Sequence, residues 1–406
     1  MNSIDILFII VSSSLVFFMT PGLAMFYGGL VRHKNILSVI MQNFLCMGIV
    51  PVVWIIIGYS LAFGPDVSGF IGNLDYFLLN NISLDTANTA SNIPEFLFLI
   101  FQLMFAILTV ALITGAIAER MKFSSFFIFS ILWILFVYLP VCHWVWGGGW
   151  LQSIGALDFA GGTVVHINAG ISSLVCVFFL GRRRGWRREF FSPNNLPITL
   201  LGAGILWFGW FGFNAGSALG VNAVAVVAFL NTQIAAGAAG VSWICAEWVY
   251  RGKPTTLGIA SGFIAGLVAI TPAAGFVGPM ASLLIGLISG VLCYSAIFLK
   301  FKLKYDDALD VVGIHGVGGI IGAFATGLFA SKRWNPSGEN GLFYGNVDQI
   351  FIQLAGIISV LIYASIITAI IMLIIKFTIG LRVDSEAEEN GLDISEHSED
   401  AYKIEI

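Results

Sequence analysis

Charge is scarce in this 406-residue chain: Asp, Glu, Lys and Arg make up 10% of it, against 58% hydrophobic residues. A soluble domain carries roughly 25–35% charged residues on its surface, so the composition excludes an ordinary water-facing exterior. With a net charge of -4, a nucleic-acid partner is not expected either. Cysteine is sparse too. Cys46, Cys142, Cys176, Cys245 and Cys293 stand singly in apolar segments without CxxC spacing, which argues against a disulfide framework or a cysteine zinc site and leaves packing as their role. No long polar linker divides the chain, so it reads as one membrane domain, residues 1–381, and a short tail, residues 382–406. No basic stretch precedes the first apolar run, and Arg32-His33-Lys34 follows it. That run is therefore expected to be a retained helix, not a removed signal peptide.

What fills the chain is apolar sequence, with a mean hydropathy of +0.92. Apolar runs begin near Ile6, Ile36, Phe96, Phe123, Gly162, Leu196, Val221, Thr255, Gly278, Ala308 and Val347. They predict an all-α polytopic membrane protein with eleven transmembrane helices, the last of them long or kinked. Basic residues cluster after the odd-numbered runs: Arg32 and Lys34, Arg120 and Lys122, Arg182 to Arg188, Arg251 and Lys253, Lys300 to Lys304, Lys376 and Arg382. The alternate connections carry Asp66, Asp75, Asp85, Glu95, Glu339 and Asp348, with Lys332 and Arg333 as their only cations. The positive-inside rule then predicts an N-out, C-in topology in a cell membrane.

Transporter folds often repeat a helical unit in inverted topology and place the substrate path between the copies. Spans 1–5 and 6–10 are expected to be such five-helix units. The fifth span contains Gly-Gly-Thr-Val-Val-His166-Ile-Asn-Ala-Gly, and the tenth contains Asp310-Val-Val-Gly-Ile-His315-Gly-Val-Gly-Gly. Each unit thus ends on a histidine in a glycine-rich helix. An ionisable group at membrane depth is costly and commonly marks a pathway. Two unrelated histidines bonded to carbonyls are the alternative, and their matched placement favours a pair. Adjacent imidazoles in a low-dielectric site disfavour double protonation, so such a pair shares one proton. A metal is not expected, because catalytic zinc takes three protein ligands.

Asp158 stands at the start of the fifth span, where a carboxylate caps free helix amides and also stabilises a nearby cation. Asp310 is expected to do the same for the tenth. Three aromatic segments remain: Phe101-Gln102-Leu-Met-Phe105, His143-Trp-Val-Trp146-Gly-Gly-Gly-Trp150 and Trp207-Phe-Gly-Trp210-Phe211-Gly-Phe213-Asn214-Ala-Gly-Ser217. The second is too rich in glycine for a stable helix and reads as an indole-lined mouth. Lipid-facing or packing aromatics are the alternative for all three.

These segments, with both histidine motifs, closely resemble the ammonium transporter family, which has methylammonium permeases and Rh proteins as relatives. Pro21-Gly-Leu-Ala-Met-Phe-Tyr-Gly-Gly-Leu, Gly115-Ala-Ile-Ala-Glu119-Arg120, Ser261-Gly-Phe-Ile-Ala-Gly-Leu-Val and Thr271-Pro-Ala extend the resemblance over nearly the whole chain. It implies a homotrimer with one pore per subunit. By position it makes Phe105, Trp146 and Ser217 an external ammonium recruitment site supported by Asp158. It makes Phe105 and Phe213 a stacked gate, and His166 with His315 the pore-lining pair. The implied substrate is ammonium or ammonia, with methylammonium as a further candidate, and neither an enzyme activity nor a cofactor is implied. An electroneutral ammonia channel and an ammonium sensor are the competing readings.

The acidic tail, Val383 to Tyr402, reads by itself as a disordered, solvated end. It resembles the family's regulatory C-terminal segment, which in bacteria helps to dock PII signalling proteins. The family usually has glycine where this chain has Ser398.

Overall fold

The computed structural model describes residues 2–83, 86–88, 91, 93–189 and 191–402, so Asp85 and the last four residues of the tail lie outside the described residues. Among these, ten helices are long and apolar enough to cross a membrane. They are α1 (Ser3–Leu30), α2 (His33–Phe63), α3 (Glu95–Ile117), α4 (Phe123–Ser153), α5 (Gly162–Leu180), α6 (Leu196–Gly216), α7 (Ala223–Arg251), α9 (Pro279–Leu303), α10 (Val312–Phe329) and α11 (Asp348–Thr378). Between α7 and α9 lies α8 (Thr256–Ile270), apolar but only 15 residues long. The thirty-one residues of α11 form one continuous helix. In α4 the helix persists through His143 to Trp146, breaks over Gly147 to Gly149, and resumes as a short turn at Trp150–Ser153. The expectation that the His143–Trp150 segment is non-helical holds for its glycines alone.

Long side chains such as Phe17, Phe44, Phe178, Phe208 and Phe377 point outward from the bundle, the pattern of a lipid-facing surface. α3, by contrast, is buried along almost its whole length and forms the centre around which α1, α2 and α5 pack.

Both candidate histidines sit in π-helical turns, Gly162–Ile167 at the head of α5 and Val312–Gly316 at the head of α10. Such widened turns recur at functional sites because they redirect a side chain out of helical register. The two helices cross where Gly170 faces Gly316, and a Cβ on Gly170 would lie 2.3 Å from the Gly316 Cα. Only hydrogen at that position lets the backbones approach closely enough to face one imidazole with the other.

The basic end of the bundle is locked by buried ions. Glu119 accepts hydrogen bonds from the Arg32 backbone and side chain and from Arg183 Nη1 (3.0 Å). Arg183 also forks onto Asp306, with Nη2 to Oδ1 at 2.9 Å. The fully buried Arg120 donates to the carbonyls of Ala118, Gly181 and Asp306. Each of these charged groups has polar partners, as burial requires.

The tail departs from the expected disordered end, because it folds into α12 (Ser385–Asn390) and α13 (Leu392–His397) and docks on that same end. Its acids serve as caps for distant helices. The Asp393 carboxylate accepts from the Leu37 and Ser38 amides at the start of α2, and Glu396 accepts from the Phe123 amide at the start of α4 (2.8 Å). Glu388 binds the Arg184 amide and the Arg382 guanidinium. Ser398 takes the left-handed conformation, φ 55° and ψ 33°, which costs a side-chain-bearing residue roughly 1–2 kcal/mol.

Candidate functional site

A cavity of about 260 Å³ opens at the end of the bundle opposite the basic cluster, bounded by Phe101, Phe105, Trp146, Asp158, Phe159 and Ser217. Its walls are held by hydrogen bonds. The Trp146 indole donates to the Asp158 carbonyl (2.8 Å), which sets the plane of the ring. The Ser217 hydroxyl donates to the Phe213 carbonyl (2.8 Å), leaving its oxygen lone pairs available to a cation. The Asp158 carboxylate receives the amides of Gly161 (2.8 Å), Gly162 (2.6 Å), Thr163 (2.7 Å) and Val164 (3.3 Å), together with the Thr163 hydroxyl. It is the N-terminal cap of α5, as expected, and positions Trp146 through its own backbone.

Phe105 and Phe213 close the floor, with ring centroids 4.3 Å apart and planes tilted by 38°. Phe105 is braced edge-on by Phe101 at 5.0 Å and by Trp146 at 5.9 Å. Beneath Phe213 the rings continue as a stack. The His166 ring lies 6.2 Å from Phe213 and 5.5 Å from Trp210, nearly parallel to both.

His166 and His315 meet Nδ1 to Nδ1 at 3.2 Å. One proton satisfies that contact. The ring that donates it carries a lone pair on Nε2, and the ring that accepts it carries a proton there. The pair therefore offers one acceptor and one donor to the space beside it, and His166 Nε2 has no hydrogen-bond partner among the described residues. That space is a void of about 10 Å³ walled by apolar side chains that include Leu23, Leu206, Leu309 and Ile314. It has room for about one water-sized molecule.

The structure thus brings Phe105, Trp146, Asp158, Phe213, Ser217, His166 and His315 together along one line, from the open cavity through the paired rings to the histidines. Asp310 does not take its expected place as a cap. It has a left-handed backbone and pairs with Lys300, while Asp307 Oδ2 accepts the Val312 amide at the head of α10 (2.7 Å). His143 also lies off the line, bonded to the Ala62 carbonyl and to Asp66 (both 2.8 Å). Trp210 has no role assigned by the resemblance, although it stacks on His166 and donates to Thr271 Oγ1 (2.8 Å). Its signal in the sequence is the helical interval of three residues to Phe213, which puts both rings on one face of α6.

Comparison with known proteins settles the family. The Ammonium Transporter Family profile matches residues 7–402. The chain belongs to the ammonium transporter family. It is 54% identical to the ammonium transporter of Aquifex aeolicus over 97% of this chain and 92% of that one. It is 50% identical to the ammonium transporter of Bacillus subtilis, over 98% of each chain. The crystal structure of Candida albicans Mep2 superposes with a TM-score of 0.90 at 34% identity, covering 95% of this chain and 87% of that one. The protein is thus a multi-pass membrane transporter of ammonium with a hydrophobic pore, and not a member of an enzyme family.

Proposed function

We propose that ammonium enters the aromatic cavity, loses its proton near Phe105 and Phe213, and crosses as ammonia past His166 and His315. The observation that carries this reading is the apolar void beside the histidines, which has room for about one water-sized molecule. A hydrated cation does not fit there. Stripping an ion costs several kcal/mol even after relaxation, whereas deprotonating an amine of pKa about 9 at neutral pH costs roughly 3 kcal/mol. In the cavity above, ring faces attract a desolvated cation by about 2 kcal/mol, and the Ser217 oxygen accepts a hydrogen bond from it.

The proton follows through the shared Nδ1 contact, which makes transport electrogenic. Its return to the starting side would instead give an electroneutral channel. The placement of basic residues supports an N-out, C-in orientation with eleven crossings, α8 being the short one, and inverted units formed by α1–α5 and α6–α10. The resemblance to the family supports a homotrimer and a PII-type partner at the docked tail.

Expression in cells that lack ammonium transport tests the reading. Growth on low ammonium is the expected result, and failure to grow despite correct membrane insertion contradicts it.

A further inference from the structure

α11 is mostly apolar and turns Phe351, Ile358 and Ile362 outward, yet it buries two glutamines, Gln349 and Gln353, which are 0% and 3% exposed. Four residues apart, they share one face of the helix. Neither belongs to the pathway described above. Buried polar side chains need hydrogen-bond partners, and both of these reach the same segment. Between Ser153 and Gly162 the chain has no helix, and irregular backbone inside a membrane protein has to find its partners elsewhere.

Gln353 takes both backbone polar atoms of one residue. Its Oε1 accepts the Leu157 amide and its Nε2 donates to the Leu157 carbonyl, each at 2.7 Å, and Nε2 also donates to the Ala323 carbonyl of α10 (3.1 Å). Gln349 Nε2 donates to the Gly155 carbonyl (3.0 Å) and to Gln353 Oε1 (3.3 Å), which fixes the end of the Gln353 amide that meets the Leu157 N–H. The peptide plane held in this way runs straight into Asp158. On the far side of Asp158, the Phe159 amide donates to the Pro272 carbonyl (3.1 Å). Asp158 is therefore held at the peptide before it by α11 and at the peptide after it by the turn that follows α8.

That hold shapes the aromatic cavity, because the Asp158 carbonyl receives the Trp146 indole (2.8 Å) and Phe159 is a wall of the same cavity. We infer that Gln353, supported by Gln349, is a positioning residue for ammonium capture: from outside the cavity it fixes the Leu157–Asp158 peptide, and through it the Trp146 ring. The inference rests on the reading of this cavity as the recruitment site. Methionine matches glutamine in length and would fill a packing role equally well, but it forms none of these bonds. The hydrogen bonds of Gln353 go to Leu157, Ala323 and Gln349, away from the paired rings and the histidines. Its loss should therefore weaken capture and spare the later steps, which raises KM and leaves the maximal rate.

The test is the initial rate of ammonium depletion by cells that lack their own ammonium transport and carry each full-length variant at equal membrane levels, measured across a range of ammonium concentrations. It separates KM from the maximal rate and does not depend on which species carries charge. Gln353→Met is expected to raise KM about fivefold and to keep the maximal rate within about twofold of wild type. Gln349→Met, which loses the Gly155 bond and the support of Gln353 Oε1, is expected to raise KM about twofold. Trp146→Leu, which removes the ring itself, serves as the reference and is expected to raise KM as well. A wild-type KM in Gln353→Met beside a raised KM in Trp146→Leu overturns the inference and leaves the recruitment site standing. A wild-type KM in Trp146→Leu overturns the recruitment reading and the inference with it. A lowered maximal rate at unchanged KM in Gln353→Met also overturns the inference, because it would place the residue's effect in the pore. Should Gln353→Met fail to reach the membrane, Gln349→Met decides, and a wild-type KM there overturns the inference.

Discussion

Asp158 and Asp307 each stand eight residues ahead of a pore histidine, yet their carboxylates are used differently. Both oxygens of Asp158 are filled, by backbone amides and the Thr163 hydroxyl. Asp307 caps α10 through Oδ2, while its Oδ1 has no hydrogen-bond partner among the described residues. Burial and the neighbouring Asp310 push the Asp307 carboxyl up to about 6, against the pull of Lys300.

Removing the Asp158 carboxylate strips the amides of Gly161, Gly162 and Thr163 of their acceptor, while the backbone carbonyl that receives the Trp146 indole stays in place. Asp158→Ala is expected to lower stability by about 2 kcal/mol or more, and Asp158→Asn, which keeps one oxygen, by less. Thermal unfolding in detergent reads the difference, and equal melting temperatures for the two variants would contradict the capping role.

The crossing of α5 and α10 predicts an effect at a residue that touches no substrate. Gly170→Ala must push its Cβ against the Gly316 backbone, a cost of about 1–3 kcal/mol for overpacking, and separate the imidazoles. Ammonium transport should fall with His166 and His315 both intact. Unchanged transport in a folded Gly170→Ala protein would show that the close approach is dispensable.

At the basic end, burial raises the Glu119 carboxyl, but Arg183 and Arg32 outweigh it and hold the group below its usual range. A depressed carboxyl contributes stability above its unfolded pKa of about 4.3 and loses it as pH falls through the folded value. The contribution is therefore constant across neutral pH and disappears only in strong acid. Glu119→Gln removes the carboxylate that Arg32 and Arg183 share, leaving Arg183 with Asp306 alone, and is expected to cost about 3 kcal/mol across that neutral window. Chemical denaturation on the two sides of neutrality, at about pH 6 and about pH 8, measures it, and a penalty that differed between the two would contradict the assignment.

Ser398 pays for its left-handed turn in strain. Ser398→Gly is expected to stabilise the docked tail by about 1 kcal/mol, seen as slower hydrogen exchange or proteolysis of α13. Faster exchange would mean that the serine side chain holds the turn.

The spans were legible because apolar runs and basic clusters are local signals. The exception in length is α8, a 15-residue helix that ends at Ile270, just before Thr271-Pro272. His166, His315 and the aromatic residues were legible from motif spacing and the resemblance. Asp307 was not, because Asp310 stands closer to the histidine motif and only the backbone turn shows which carboxylate reaches the α10 amides. The docked tail escaped reading for a similar reason: Asp393 and Glu396 find their partners at Leu37, Ser38 and Phe123, far away in sequence. Composition registers the acids and not the caps they supply. Glu119 and Arg183 look like loop charges in sequence, and their burial follows only from the meeting of connections that are distant along the chain.

Whether ammonia passes the histidines while its proton moves with it is tested most directly by ammonium-evoked current on solid-supported membranes carrying wild-type, His166→Ala or His315→Ala protein. The expected result is a current in the wild type that either substitution abolishes or greatly reduces. Undiminished current in the variants, or ammonium uptake by the wild type with no current, would contradict proton movement through the histidine pair.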